Sequence, residues 1–372
     1  MKEICIKESC TGCHACYNVC PKSCIEMVED KYGFVYPSIN GSKCLDCNLC
    51  KFVCPSNHEK NNTKPTKAYA AICKNNYDYN TATSGGIATT FAKKVISNDG
   101  VVYGAAFEED VKLTHIRATD IYSIEKIKGS KYVQSAIGNS YSQVKNDLNK
   151  NKTVLFIGTP CQVDGLKCYL NKEYQKLITC DIICHGVPSC KMLKEYFHEN
   201  NITIENMNVS FRDKDGYYIT IKNNGKIEYR KSSYIDIFYL GFIKALFFRE
   251  SCYYCKYANE NRVSDITLGD FWGFDAKKGD FPVSTSNGLS VILVNTEKGE
   301  EFLKSSASEL VLLERDVQEA INGNKQLRFP SKIHRNYNKF RSLYGSKGFT
   351  KAVKKSLRRE RIIYGILDKV GK

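Results

Sequence analysis

Apolar residues after position 66 alternate between short uninterrupted runs and stripes at helical spacing. The runs have the length of buried strands and are Val101–Phe107, Val154–Ile157, Ile178–Cys184 and Leu289–Val294. Between them helical patterns recur, as with Ile87, Phe91 and Val95 directly after Ser84-Gly85-Gly86. Strands that alternate with helices are typical of an α/β fold. The pattern therefore predicts a large α/β domain over residues 66–335.

A smaller unit precedes this domain. Ile25–Glu29 and Phe34–Pro37 flank turn residues and predict a hairpin within residues 1–60. The polar stretch Ser56–Pro65 then predicts a linker. A second hairpin, inside the large domain, is predicted to turn at Asn224-Gly225. The fold class expected is a small α+β N-terminal domain followed by a larger α/β domain.

The last residues form a basic tail, which we assign to residues 340–372. Lys351–Lys372 holds eight Lys or Arg and predicts one partly amphipathic helix. Its apolar positions are Val353, Leu357, Ile362, Ile366 and Val370. Such a helix either docks an acidic partner or a membrane surface, or packs on its own domain through the apolar stripe.

Eighteen cysteines in 372 residues are a heavy load. The N-terminus has no apolar stretch that could act as a signal peptide. The most hydrophobic segment, Tyr234–Phe248, is interrupted by Asp236 and Lys244, so no transmembrane segment is expected. These features predict a cytoplasmic protein, in which clustered cysteines are metal ligands or redox groups rather than disulfides.

The formal charge of +15 does not by itself indicate nucleic-acid binding. Residues 1–60 hold seven Lys and seven Asp or Glu, so the excess lies in the remainder of the chain. Bound anionic cofactors would neutralise much of it. No nucleic-acid partner is expected.

A repeated motif carries the clearest chemistry. CTGCHACYNVCP (10–21) and CLDCNLCKFVCP (44–55) share the spacing C-x2-C-x2-C-x3-C-P, which is typical of ferredoxins with two [4Fe–4S] clusters. In such proteins the fourth cysteine of each motif ligates the other cluster. We therefore predict two sets of cysteine ligands, one for each cluster, and call them the first set and the second set. The first set is Cys10, Cys13, Cys16 and Cys54, and the second set is Cys44, Cys47, Cys50 and Cys20.

The alternative to clusters is a pair of zinc sites. Zinc sites usually separate two CxxC pairs by a dozen or more residues, whereas each motif here crowds four cysteines into eleven residues. Cys5 and Cys24 fall outside the motifs and are expected to be small buried residues.

Further cysteines follow in the α/β domain. Cys161 is expected in a turn after one strand and Cys184 at the end of another, while Cys252 and Cys255 form a CxxC pair. Ligands of open α/β sheets bind beyond the carboxyl ends of the strands, so these four thiols could hold a third cubane. Burial without any ligand role is the equal alternative. We call these four residues the third set.

Flavin binding is only weakly indicated by the residues. The chain has no GxGxxG, so a standard Rossmann site is not supported. Thr83-Ser84-Gly85-Gly86 opens a helix and could bind a phosphate, although an ordinary helix cap is the more common meaning of so short a string. Lys128–Ser135 adds lysines, a tyrosine and hydroxyl groups.

Several of these strings occur together in a known order. TSGG, KGSKYVQS, FIGTPCQ, ICHGVPS, SFRDKDGY and the C-x2-C pair followed by DITLGDFWG resemble the coenzyme F420 hydrogenase/dehydrogenase β-subunit family. With the ferredoxin repeat, the resemblance covers roughly residues 1–335. It implies an FAD beside a third [4Fe–4S] cluster that the third set ligates. The residues implied around the flavin are Thr83, Ser84, Gly85, Gly86, Lys131, Tyr132 and Gln134.

The function expected is an iron–sulfur flavoprotein oxidoreductase. It would relay electrons between [4Fe–4S] clusters and FAD, with hydride exchange to an F420-like or other organic substrate. His185 is a candidate catalytic proton donor near the flavin, or alternatively a structural histidine. Redox partners expected are a ferredoxin, a flavodoxin or a partner oxidoreductase. The alternatives are a non-catalytic electron-transfer subunit feeding a partner enzyme, for example in polysaccharide biosynthesis, and a zinc-stabilised scaffold.

Overall fold

A computed structural model describes residues 3–58, 62–202, 207–213 and 215–369. Its strands are β1 (Ile25–Glu29), β2 (Val35–Ile39), β3 (Lys67–Cys73), β4 (Val101–Phe107), β5 (Leu113–Ala118), β6 (Val154–Gly158), β7 (Leu177–Ile182), β8 (Met207–Ser210), β9 (Tyr218–Asn223), β10 (Lys226–Ser232), β11 (Ile266–Asp270), β12 (Ser290–Val294) and β13 (Leu310–Arg315). Its α-helices are α1 (Ala15–Val19), α2 (Leu49–Phe52), α3 (Asn76–Thr81), α4 (Ile87–Ser97), α5 (Ile121–Ile127), α6 (Ser140–Asn149), α7 (Pro160–Leu170), α8 (Cys190–Glu199), α9 (Ile237–Ile243), α10 (Glu297–Ser306), α11 (Val317–Gly323), α12 (Tyr337–Lys347), α13 (Phe349–Ser356) and α14 (Arg358–Lys369).

The N-terminal region repeats one local structure. A residue with left-handed backbone, His14 in the first motif and Asn48 in the second, precedes the short helices α1 and α2. Strands β1 and β2 pair antiparallel, with Ile25 opposite Ile39, between the two motifs. The predicted repeat and hairpin are therefore both present.

The large domain is built on one sheet of eight strands. Their order is β13-β3-β12-β11-β7-β6-β4-β5. The four middle strands, β11, β7, β6 and β4, run parallel, and the outer pairings are antiparallel. The four apolar runs predicted as strands correspond to β4, β6, β7 and β12. Since parallel strands end at the same edge, residues that follow β6, β7 and β11 gather at one edge of the sheet.

A three-stranded sheet, ordered β10-β9-β8, lies beside the main one. The hairpin between β9 and β10 turns at Asn224 (φ 47°) and Gly225 (φ 79°), as predicted, because a tight hairpin turn of this kind needs left-handed backbone at both positions. An aromatic core joins this sheet to α8, α9, α12 and α13. Phe34 of the N-terminal hairpin is part of the same core, so the small unit packs directly on the large one.

The basic tail differs from the prediction. The single helix expected over 351–372 is two helices, α13 and α14, which part at Leu357 (φ −107°); residues 370–372 lie outside the described part of the chain. Val353 and Leu357 are buried, whereas Ile362 and Ile366 are exposed. The five-residue step from 357 to 362 rotates the apolar stripe by about 140°, so one straight helix could not bury both pairs. None of the helices in the described ranges is long and apolar enough to cross a membrane.

Candidate iron–sulfur and cofactor site

The thiols outside the motifs connect cysteines of different motifs. The Cys5 thiol is in hydrogen-bonding contact with Cys10 and Cys54, the first cysteine of one motif and the last of the other. Cys24 lies 3.3 Å, sulfur to sulfur, from Cys20 and also contacts Cys44. Each extra cysteine thus touches two members of one predicted set. This is the crossed arrangement that a two-cluster ferredoxin requires, and the ligand sets stay a prediction.

Of the two cysteines predicted to be small buried residues, one agrees with the prediction and one differs. Cys24 is buried, but Cys5 is only partly buried. The hydrogen bond from Cys5 is the main cause that lowers the pKa of Cys10 to about 6, and burial opposes it. The same contact lowers the pKa of Cys54 to about 7. A thiolate is the form that ligates iron, so these shifts suit a metal-binding role.

The two predicted sets differ in exposure. All four cysteines of the first set are buried. In the second set Cys47 is exposed and the other three are partly buried. Three apolar side chains around the second motif are also exposed, namely Leu45, Leu49 and Phe52. The first set thus faces the protein interior and the second set faces solvent.

The third set collects at the carboxyl edge of the sheet. Cys161 lies in the first turn of α7 after β6, which corrects the expected turn, because Thr159 and Gln162 form a capping box that starts the helix there. Cys184 follows β7 by two residues, and Cys252 lies on a 3-10 turn. All four thiols, including Cys255, line one cavity. The structure therefore brings the third set together.

The thiols of the third set influence one another. Burial raises the pKa of Cys161 to about 11, with the charge of Cys255 as a further cause. Burial and the neighbouring Cys161 and Cys255 raise the pKa of Cys184 to about 12. The pKa of Cys252 is also raised, mainly by burial and then by Cys184. Deprotonation would accompany metal binding here.

A site for a single metal ion needs a tighter group of ligands than a cubane cluster does. Within the described residues, no three His, Cys, Asp or Glu side chains converge on one metal-ion position. Thiolates around one zinc ion lie within about 4 Å of one another. A cubane instead holds its four thiolates apart by its own width, so its ligands need not converge on one point.

The cavity has a volume of about 940 Å³, within the range of cofactor sites. Six of the seven residues expected around a flavin line it: Thr83, Ser84, Gly86, Lys131, Tyr132 and Gln134. Gly85 is the exception, because it packs against the sheet. A Cβ at Gly85 would lie 2.2 Å from the carbonyl oxygen of Ala71.

The N-terminus of α4 faces this cavity without a side-chain cap. Gly86 precedes the helix with φ 78°, and no side chain caps it. The hydroxyl of Thr83 lies 3.0 Å from that of Ser130, and the hydroxyl of Ser84 accepts a bond from Ser290. The ordinary side-chain cap is therefore absent among these residues. Uncapped N–H groups and the helix dipole favour an anion at this point.

Lys131, Tyr132 and Gln134 have contacts of their own. The Lys131 ammonium group donates to the carbonyl oxygens of Ile127, Lys128 and Gly129, and burial lowers its pKa to about 7. Tyr132 stacks on Phe242 with ring centroids 4.6 Å apart. Gln134 donates to the Thr11 carbonyl oxygen in the first motif. Gln134 therefore links the cavity wall to the N-terminal unit.

His185 lies in the cavity wall with both ring nitrogens engaged. Nδ1 accepts from the side-chain amide of Gln326 at 2.7 Å, and Nε2 lies 3.4 Å from the carbonyl oxygen of Ile243. The ring packs edge-on against Phe242 and Phe248. Burial lowers its pKa, so the neutral form is favoured. These contacts favour the structural alternative over the catalytic one.

A second part of the cavity wall combines aromatic and charged groups. Trp272 stacks on Tyr217 with centroids 6.0 Å apart. The Arg212 guanidinium covers the Tyr217 ring at 4.8 Å and pairs with Asp270 at 2.6 Å. Asp270 and Trp272 belong to the string DITLGDFWG, and Arg212 and Tyr217 to SFRDKDGY, but nothing in the sequence indicated that these residues meet. Their approach depends on tertiary packing between β11 and the loop before β9.

Arg249 is the residue that sequence reasoning missed altogether. It is 1% exposed and lines the cavity. Its guanidinium donates to the Cys10 carbonyl oxygen at 2.7 Å and to the Cys10 sulfur at 3.6 Å. The only signal in the sequence is one arginine directly after Phe247-Phe248 and three residues before Cys252.

Comparisons with known proteins agree with this architecture. Residues 9–58 match the 4Fe–4S dicluster domain, and residues 151–320 match the C-terminal part of the coenzyme F420 hydrogenase/dehydrogenase β subunit. The molecule is therefore an iron–sulfur protein, with a two-cluster ferredoxin domain in front of an α/β domain. The match over residues 151–320 agrees with the resemblance to the coenzyme F420 hydrogenase/dehydrogenase β-subunit family noted in the sequence.

Individual relatives match shorter parts. An uncharacterized polyferredoxin-like protein of Methanocaldococcus jannaschii is 40% identical over 62 residues, covering 13% of this chain and 34% of that protein. An uncharacterized ferredoxin of the same organism is 37% identical over 51 residues, 14% of this chain and 65% of that protein. The chain thus spans about a third and just under two thirds of these two relatives. A chain of the F420-reducing [NiFe] hydrogenase complex from Methanosarcina barkeri aligns with a TM-score of 0.48 and 16% identity, over 72% of this chain and 93% of that one.

Proposed function

We propose that this protein is an iron–sulfur flavoprotein oxidoreductase. Electrons pass between the two ferredoxin clusters, a third [4Fe–4S] cluster on the third set and an FAD in the cavity. At the flavin, hydride is exchanged with an F420-like or other organic substrate. The match of residues 151–320 to the C-terminal model of the β-subunit family supports this assignment.

One contact carries the proposal. A Cβ built at Gly165 would lie 2.9 Å from the Cβ of Cys13 and 3.0 Å from its sulfur. Gly165 lies on α7, one turn after Cys161. Four residues of helix rise about 6 Å. The first set and the third set are therefore neighbours through a single helical turn, and the third set lines the cavity.

This proximity gives the relay an order. The second set is the most exposed, and the first set adjoins α7 through Cys13. We assign the second set to exchange with an external carrier such as a ferredoxin or flavodoxin. Electrons then cross the first set and the third set to the cavity. The exposed Leu45, Leu49 and Phe52 would form the apolar contact for that carrier.

The cavity fits FAD in chemistry and size. The uncapped N-terminus of α4 suits the pyrophosphate, and aromatic side chains such as Tyr132 offer apolar walls for the ring system. When bound, a flavin accepts or donates hydride on one side and releases electrons singly on the other. The Trp272–Tyr217 stack in the same cavity would orient the planar ring system and a substrate held against it. His185 would hold its neutral ring as a hydrogen-bond partner in the cavity wall. To act as a proton donor, its Nε2 would have to leave the carbonyl oxygen of Ile243.

The proposal is tested by anaerobic purification with counts of iron, sulfide and flavin. We expect about twelve iron atoms, from three cubanes, and one FAD per chain. Cys161→Ser should lower the iron count by about four and slow electron transfer to the flavin. Cys168→Ser changes a cysteine of the same helix outside the set and should leave both unchanged. Reduction trials with F420H2, NAD(P)H and reduced ferredoxin then identify the hydride donor class.

A non-catalytic electron-transfer subunit is the second candidate, for example in polysaccharide biosynthesis. The exposed second motif favours a docking role of this kind. Purified protein with reducible clusters, no flavin and no turnover of any hydride donor would support it and reject the flavoenzyme.

A further inference from the structure

The guanidinium of Arg249 is buried in a shell of hydrogen-bond acceptors. Beside its two contacts with Cys10, it donates to the Val35 carbonyl oxygen at 2.9 Å and to the Gln134 side-chain oxygen at 3.2 Å. Its planar group also covers the Tyr36 ring at 4.4 Å. The guanidinium thus donates four hydrogen bonds within this chain and faces one aromatic ring.

The charge of Arg249 has no carboxylate to balance it. Within the described ranges, no Asp or Glu forms an ion pair with this side chain. Other buried arginines do have one: Arg262 pairs with Asp181, and Arg315 pairs with Glu319. A buried charge without a partner is strongly unfavourable, so buried ions are normally paired or bound to a metal group.

The nearest anion-forming group is Cys10. One guanidinium N–H points at its sulfur, 3.6 Å away. The remaining members of the first set, Cys13, Cys16 and Cys54, are buried with it. A [4Fe–4S] cluster with four thiolates carries a net negative charge in both oxidation states.

We propose that Arg249 is the counter-ion of the first cluster and sets its reduction potential. The proposal rests on the assignment of the first set made above. Reduction adds one electron, and hence one negative charge, to a cluster beside a fixed positive charge. Arg249 therefore stabilises the reduced form more than the oxidised form and raises the potential. No proton transfer is required, because guanidinium stays protonated.

The position of Arg249 also affects which cluster holds the electron. Arg249 lies three residues before Cys252 and contacts Cys10, so its charge stands between the first set and the third set. Among the described hydrogen bonds of Arg249, none goes to a member of the second set, which is also more exposed. Arg249 therefore favours residence of the electron on the first cluster, next to α7, over the solvent-facing cluster.

The test is a redox titration of the anaerobic holoprotein followed by electron paramagnetic resonance. In Arg249→Met, we expect one cluster potential to fall enough to shift its one-electron equilibrium about tenfold, or 59 mV. Arg249→Lys keeps the positive charge, so the cluster potential should fall less in this variant. Arg341→Met is the matched control, because Arg341 also packs on a tyrosine, Tyr32, at 4.3 Å but contacts no cysteine sulfur in the described contacts.

The outcomes separate the two proposals. A shift confined to the cluster that Cys10→Ser removes, larger for Met than for Lys, supports the counter-ion role. Cluster iron that is lost in Arg249→Met but kept in Arg249→Lys supports it as well. Unchanged potentials in both variants, or equal shifts in both, would overturn it. Absence of flavin or of the third cluster would instead reject the proposed function and leave this result standing.

Discussion

Gly165 and Cys13 touch across the boundary between the ferredoxin motif and the α/β domain. The glycine leaves room for the cysteine, since an added Cβ would lie 2.9 Å from the Cys13 Cβ. The Tyr141 hydroxyl oxygen would lie only 2.8 Å from the same position. Any larger residue here must push the motif away from α7.

Gly165→Ala should therefore be destabilising, against the usual preference of helices for alanine. Overpacking of this kind costs about 1–3 kcal/mol in the free energy of unfolding. The measurement is chemical denaturation of the anaerobic protein. Gly345→Ala is the control, since nothing lies within 4 Å of its Cβ position in α12, and it should gain about 0.5–1 kcal/mol. Similar effects at both glycines would contradict the close contact.

The buried pair Arg262–Asp181 should hold the segment after Cys255 against β7. Its atoms are 2.9 Å apart, and both side chains are almost wholly buried. Arg262→Met leaves Asp181 as an uncompensated charge and should cost about 3–5 kcal/mol of unfolding free energy. Lys64→Met breaks the exposed pair with Glu260 and should cost less than about 1 kcal/mol. A small loss in Arg262→Met would mean that water reaches Asp181.

His115 should make stability depend on pH. Its Nε2 donates to the Ile157 carbonyl oxygen and its Nδ1 accepts from Ser135. Burial lowers its pKa from 6.5 to about 4. The unfolded chain therefore binds more protons between these values, and stability present above pH 6.5 is lost as the pH falls toward 4.

The expected contribution between pH 8 and pH 5 is about 2 kcal/mol. It is measured as the difference in urea midpoint between the protein and His115→Gln at both pH values. Glutamine can keep one donor and one acceptor but does not titrate, so its pH dependence should be flatter. His198→Gln, at an exposed position, should follow the parent protein. Parallel curves for the parent and His115→Gln would disprove the assignment.

Trp272 is the one tryptophan in the chain and is half exposed at the cavity. Its fluorescence therefore reports on this site without interference from another indole. Addition of FAD to flavin-free protein should quench it in a saturable manner, because an isoalloxazine close to the indole provides a stacking partner. Trp272→Phe should bind FAD with no such signal. Saturable FAD binding without quenching would place the ring system away from the Trp272–Tyr217 stack.

The sequence predicted the parts of this protein that depend on local spacing. The Cys motifs, the four strand runs and the turn at Asn224-Gly225 are all periodic or short-range signals. The cysteines that the sequence placed near strand ends do line one cavity, because parallel strands share an edge, and their ligand role stays a prediction. The prediction of a single helix for the tail was wrong, because the chain turns at Leu357, which is buried in the aromatic core.

Contacts between residues that are far apart along the chain could not be predicted from the sequence. Arg249 and Cys10 are 239 positions apart, and nothing local marks either as the other's partner. The same holds for Arg212 and Asp270, which are 58 positions apart. Such pairs arise only when the sheet edge, the hairpin and the first motif have assembled. They are the pairs on which the electrostatics of the site depend.

The unequal exposure of the two ferredoxin sets has a consequence for handling in air. Cys47 is exposed to solvent, whereas the four cysteines of the first set are buried. Dissolved oxygen would reach the second cluster first and dismantle it, leaving the others in place. A preparation exposed to air should therefore lose iron in stages. The cluster that exchanges electrons with an external carrier should be lost before the cluster of the first set.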